Sequence, residues 1–195
     1  MKELRVLLLG DLGAGKTTTG NYLQHHGIVR APGDAARYYH FSVSDWLVAQ
    51  VGRAGRQALG QLAGSLVAHH GPQVWDELAR THYRIARQRQ PYDGYIMTGP
   101  RRPEEVAAFR QRDVGDSLVL YLTAGYATRL ARAAKAAHER GAFFDAAGFA
   151  QRNDAERYGR NESGINLAAV RDMADLIVTN EAFVPALSVA IIRND

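Results

Sequence analysis

Three glycines in Gly10-Asp11-Leu12-Gly13-Ala14-Gly15-Lys16-Thr17-Thr18, directly behind a short apolar run, constrain this chain more than any other stretch. The run Leu4–Leu9 has the length of a buried strand, and Thr18–Leu23 can begin a helix. Gly10, four residues, Gly15, Lys16 and Thr17 reproduce the spacing of a phosphate-binding loop in its proper strand-to-helix context. Glycines let such a loop curl until successive N–H groups point inward at phosphate oxygens. The helix start adds partial positive charge, Lys16 can reach β- and γ-phosphates, and the Thr17 hydroxyl can ligate Mg²⁺. An ordinary glycine-rich turn would not need every one of these positions filled. The chain is expected to bind a nucleoside triphosphate, with residues 10–18 forming the cradle.

At 195 residues the chain suits one α/β domain with a proper core. It has no cysteine, which excludes disulfides, thiolate zinc sites and cysteine nucleophiles. The first residues read as a core strand rather than a signal peptide, and no apolar run approaches ~20 residues. The expectation is a cytoplasmic protein without a membrane segment. The formal charge of +4 rests on arginine, because the only lysines are Lys2, Lys16 and Lys135. Arginine forks match phosphate and carboxylate geometry. A charge this small does not by itself call for nucleic acid, so a small molecule is the expected partner. Monomer and homodimer both stay open.

Along the chain, Tyr38–Val43, Tyr95–Thr98, Ser117–Leu122 and Leu176–Thr179 read as further strands. Helices are expected from the loop to about Gln24, over Asp45–Val51, Gln57–His70, Gln73–Gln88 and Pro103–Arg112. More follow over Tyr126–Glu139, Phe149–Tyr158 and Ile165–Asp172, with a last one after Thr179. The alternation predicts a three-layer α/β/α fold around a parallel sheet of about five strands, with a helical segment near 44–90 and a small lid near 129–160. Ligands of such sheets sit beyond the carboxyl ends of the strands.

Three of those ends carry conspicuous groups. Ser42, Ser44 and Asp45 follow the second strand, where Ser44 or Asp45 could equally cap the next helix. Arg101 and Arg102 follow Thr98-Gly99-Pro100, suited to a second anion or to surface pairing with Glu104 or Glu105. Arg129, Arg132 and Lys135 recur every third residue with no acid before Glu139, a repulsion that an anionic ligand would relieve. The alternative is a solvated face whose stems cover apolar surface. His25-His26 and His69-His70 fit helix C-termini better than a metal site. Trp46, Trp75, Tyr38 and Tyr39 fit packing better than base stacking.

These segments resemble the nucleoside monophosphate kinase group of P-loop kinases. His40–Leu47 is similar to the stretch that opens the monophosphate-binding helix of adenylate kinases. Thr98–Arg102 resembles their aspartate-glycine-phenylalanine-proline-arginine turn, whose arginine holds the acceptor phosphate. Arg129 with Arg132, and Arg152–Glu156, resemble the two flanks of the lid. Gln57–Leu78 looks like phage-type deoxynucleoside monophosphate kinases, and Ala174–Glu181 like dephospho-coenzyme A kinases. The resemblance implies ATP and Mg²⁺, with Lys16, Arg129, Arg132 and Arg152 around the transferring phosphate and Thr17 on the metal. It implies Ser42, Asp45, Arg53, Arg101 and Arg102 around the acceptor, and Asn180 near the donor base.

Two departures stand out. Val48 occupies a position where adenylate kinases carry arginine, which shifts acceptor binding toward Arg53 or Arg56. Thr98 replaces the strand-end aspartate that orders the metal's water shell, leaving Asp11 or Asp45 as substitutes. The expected function is transfer of the γ-phosphoryl group of ATP to a (deoxy)nucleoside monophosphate. Dephospho-coenzyme A or a specialised metabolite is the neighbouring alternative. A P-loop switch that hydrolyses NTP without a small acceptor, or a kinase acting on bases in DNA, lies further off.

Overall fold

The computed structural model describes residues 3–31, 34–52, 56–111, 116–159 and 164–181. Its centre is a five-stranded sheet in the order β4-β5-β1-β6-β7, formed by Tyr38–Ser42, Gly94–Thr98, Leu4–Gly10, Asp116–Thr123 and Leu176–Thr179. Every neighbouring pair is parallel, so all five strands deliver their carboxyl ends to one edge. That edge carries the Gly10–Lys16 loop. β2 (Ile28–Ala31) and β3 (Asp34–Ala36) pair antiparallel outside the sheet, a unit that the strand pattern did not suggest.

The strand period of two splits β1 between two cores. Val6 and Leu8 pack with Ile96, Leu120 and Leu122 beneath α1 (Lys16–His26), whose Leu23 faces them. Leu7 and Leu9 pack with Val119, Tyr121 and Met97 on the opposite face. That second face is covered by α2 (Val43–Val51), α3 (Arg56–His70), α4 (Val74–Arg87), α5 (Pro103–Arg110) and α8 (Leu167–Asp172). Helices on both faces give the three layers expected. α6 (Tyr126–Glu139) and α7 (Ala146–Arg157) follow β6 and pack together beside the Gly10–Lys16 loop. The expected terminal helix lies outside the described residues.

One core residue breaks the apolar pattern. Arg5 is fully buried in β1, its Nη1 donating to Phe109 O at 3.1 Å and lying 3.6 Å from Asp76 Oδ2. Its guanidinium also covers the Phe109 ring, and Asp76 accepts from the Tyr95 hydroxyl. Breaking one side of such a pair would strand a buried charge, so α4, α5, β1 and β5 are locked in one register.

Candidate active site

Gly10, Gly13 and Gly15 all adopt positive φ, at 146°, 79° and 95°. At Gly10 an added Cβ would sit 2.2 Å from Leu122 O, so only glycine lets the loop leave β1 against β6. The loop wraps its own lysine: Lys16 Nζ donates to Gly10 O and Asp11 O, each at 2.8 Å. Thr17 and Thr18 are exposed in the first turn of α1.

Two groups from elsewhere in the fold close on Gly15. Asn180, just past β7, donates through Nδ2 to Ala14 O at 2.9 Å. Arg132 of α6 brings Nη1 to 4.0 Å from where a Gly15 Cβ would stand. Among the described residues that nitrogen is buried without a hydrogen-bond partner, while Nη2 makes a long contact of 3.5 Å to Glu181 O. Glu181 caps the start of α6, accepting from Gly125 N at 2.5 Å and from the Thr128 hydroxyl at 2.8 Å. Those hydrogen bonds hold its carboxyl below the ordinary range. A buried, unsatisfied guanidinium nitrogen beside the glycine loop and its lysine suits a polyphosphate, so the residues present fit the nucleotide that the loop implies.

The remaining arginines separate by partner. Arg129 is 3% exposed and holds the loop from outside, through Nη1 to Leu12 O at 3.1 Å and to Asn153 Oδ1 at 2.6 Å. Its Nε donates to Ala124 O at 2.9 Å. Arg152 is exposed on α7, where its Nη1 would stand 3.2 Å from a Gly148 Cβ near Asp145, so it is not brought to the loop. Arg101 is paired with Glu156 of α7 at 3.0 Å. Arg102 forms no ion pair among the described residues and lies over α3, with Nη2 3.4 Å from a Gly64 Cβ. Arg53 lies outside the described residues.

Glu105 organises the turn that carries both arginines. Its Oε2 accepts from Arg101 N at 2.7 Å and Arg102 N at 3.0 Å, and its Oε1 from Trp75 Nε1 at 3.0 Å. Burial pushes its carboxyl above the ordinary range, against the pull of those bonds. It is a buried anchor rather than a surface partner for the arginines. A glutamate three residues after the turn was the signal in sequence for this backbone-holding role.

The two metal-shell candidates diverge. Asp11 turns away from the cradle, accepting from the Tyr121 hydroxyl at 2.7 Å and the Thr123 hydroxyl at 2.8 Å. Asp45 stands in the first turn of α2, whose cap is Ser42, accepting from Asp45 N at 3.2 Å, and neither Ser44 nor Asp45 itself. Asp45 lines a cavity of about 340 Å³ with Asn21, Gln24, His40 and Trp46. Thr17, Asn21 and Gln24 share a face of α1 by helical spacing, which puts Asp45 on the Thr17 side. Among the described residues no group of three or more His, Cys, Asp or Glu forms a metal cluster.

His40 was not expected to matter. It bridges α1 and β5, with Nδ1 2.7 Å from Asn21 Oδ1 and Nε2 2.9 Å from Thr98 Oγ1. Thr98, at the position expected for aspartate, is thereby tied to a neutral ring. Trp75 is buried and Trp46 packs against it edge to face, as expected of core aromatics.

No protein-family model matches the chain, and no curated protein does. Solved structures do. TT1252 from Thermus thermophilus is 16% identical, over 95% of this chain and 92% of that one, with a TM-score of 0.54. A shikimate kinase from Acinetobacter baumannii, in complex with shikimate, is 14% identical over 93% and 86%, with a TM-score of 0.53. A shikimate kinase from Aquifex aeolicus is 16% identical over 93% and 89%, with a TM-score of 0.52. The chain has the fold of P-loop kinases. Among its described residues no helix is long and apolar enough to cross a membrane.

Proposed function

We propose that this protein is an ATP-dependent phosphotransferase acting on a small anionic acceptor, first a (deoxy)nucleoside monophosphate. The observation that carries the reading is the unsatisfied, buried Arg132 nitrogen facing Gly15 beside Lys16. Leaving such a group without a partner is costly, and phosphate oxygens in the loop would supply one.

Phosphoryl transfer asks for in-line positioning and positive charge more than for covalent help. Lys16 and Arg132 would spread over the β- and γ-oxygens, while Arg129 fixes the loop through Leu12 O. Arg152 would join them only if the lid carries α7 inward. Magnesium, when bound, would neutralise developing charge on those oxygens. Thr17 would hold it, and Asp45 is the carboxylate on that side. Arg102 would hold the acceptor anion, since Arg101 is engaged with Glu156. Ser42 would act through the start of α2, and Arg53 remains a further acceptor candidate. The bond from the γ-phosphorus to its bridging oxygen breaks as one forms to an acceptor phosphate oxygen, and ADP leaves.

A second reading keeps the donor side and changes the acceptor to a hydroxylated carboxylic acid. The shikimate kinases among the fold neighbours favour it. Arg102 would then grip a carboxylate, and Asp45 would take the hydroxyl proton. Dephospho-coenzyme A, the neighbouring alternative, would offer a hydroxyl in the same way but a phosphate rather than a carboxylate to Arg102.

The test is coupled ADP release from Mg·ATP across nucleoside monophosphates, dephospho-coenzyme A and shikimate. Stimulation by a monophosphate, lost in Lys16→Ala at unchanged thermal stability, is expected. ATP hydrolysis indifferent to every small acceptor would overturn the kinase reading. Stimulation by shikimate alone would move it to the second one.

A further inference from the structure

A cavity of about 300 Å³ opens behind the phosphate loop, between the start of α6, the end of α7 and α8. Arg129, Arg157 and Arg171 line it, together with Tyr126, Asp11 and Asp172. None of Gly15, Lys16, Thr17, Arg132 and Asn180 reaches it, and neither do Asp45, Arg101 and Arg102. It is therefore distinct from both the triphosphate cradle and the acceptor side proposed above.

Its charge is unbalanced. Arg129 spends its contacts on two carbonyls and an amide oxygen, none of them an anion. Among the described residues Arg157 and Arg171 form no ion pair, and the Arg157 guanidinium lies over the Tyr158 ring. Asp11 is already held by the Tyr121 and Thr123 hydroxyls. Among the described residues lining the cavity, Asp172 is the one further counter-charge. Like charges crowded on one cavity repel, and a guanidinium matches phosphoryl oxygens bidentately. The burial and the Asp11 charge that push the Tyr121 hydroxyl up are opposed by both Arg171 and Arg157, so the two cations act across the cavity floor.

We infer that this cavity is a second anion site, which takes a small phosphorylated ligand between Arg157 of α7 and Arg171 of α8. Arg129 joins it to the loop. A ligand there ties the lid helix α7 to α8 in the body of the fold, and bears on the cradle through the Arg129–Leu12 contact. The site is an effector site, since the reacting groups proposed above lie outside it. The inference uses the P-loop reading only to separate the two sites.

The test is calorimetric titration of the full chain with pyrophosphate. Wild type should show two classes of site. Arg157→Gln with Arg171→Gln should lose one of them, by ~tenfold or more in affinity, and keep the other. Lys16→Ala should lose the complementary class. Ala168→Phe, which fills the cavity without changing charge, should mimic the double arginine variant. Arg84→Gln with Arg89→Gln, matched in charge, exposed and outside the cavity lining, should behave as wild type. Two intact classes in both cavity variants would overturn the inference, as would equal loss in the exposed pair or a single class removed by Lys16→Ala. Two classes that survive Lys16→Ala but not the cavity variants would instead remove the P-loop reading and leave the second site standing.

Discussion

His40 is 8% exposed on β4, with its ring between Asn21 Oδ1 and Thr98 Oγ1 and its backbone N–H donating to Gln24 Oε1 at 2.7 Å. A proton added to that ring must be carried away from water. Burial lowers its pKa from the ordinary 6.5 to about 4, against a weaker upward pull from Asp45. Because the folded pKa is depressed, the unfolded chain binds more protons between those two values. Stability therefore rises with pH through that window and is lost as pH falls from 6.5 toward 4. The shift corresponds to about 2 kcal/mol lost by pH 5 and about 3 kcal/mol by pH 4, relative to pH 7. Urea unfolding of wild type and His40→Gln at pH 7, 6, 5 and 4.5 reads it directly. The variant, less stable at pH 7, should lose less on acidification, so the two curves converge. Glu105, whose raised pKa acts in the opposite direction, is common to both proteins and cancels in the difference. Parallel curves with a constant gap would refute the reasoning, because they would mean that His40 titrates alike in both states.

Gly20→Ala should destabilise the protein by about 1–3 kcal/mol in thermal unfolding, although alanine favours helices by ~1 kcal/mol. The new Cβ would stand 2.4 Å from His40 Nε2 and push the ring off its partners, so a gain in stability would contradict the packing. Glu105→Gln should cost about 1–3 kcal/mol and raise the acceptor KM, because an amide cannot accept from two backbone N–H groups and the Trp75 indole together. An unchanged KM would separate that carboxylate from the acceptor side. Arg132→Ala should weaken Mg·ATP binding by ~tenfold or more in calorimetry with little change in Tm. Unaltered affinity would take Arg132 out of the cradle.

The helices and strands were legible because their signals are local. β7 falls on the very residues Leu176–Thr179 that the apolar run marks, and α6 on Tyr126–Glu139. The glycine loop was legible for the same reason, since Gly10, Gly13, Gly15, Lys16 and Thr17 lie close together in sequence and the three glycines all take positive φ. β2 and β3 were missed, for Ile28–Ala36 is broken by Pro32-Gly33 and has no alternation to read. Pairing across the fold was the harder matter. Arg5 stands in an apolar run, and nothing nearby in the chain announces Asp76 as its partner. Arg101 and Arg102 are adjacent and chemically identical, yet Glu156 engages only the first.

Taken alone, the amino-acid order determined a parallel α/β sheet with a glycine loop at its first strand-to-helix junction. Tertiary structure decided which charges are spent and which remain available: Asp11 on two hydroxyls, Arg129 on loop carbonyls, and Arg132 held over Gly15 with a nitrogen to spare. Backbone conformation answers to neighbours within a few residues, whereas an ion's partner is chosen by distance and burial between segments a hundred residues apart.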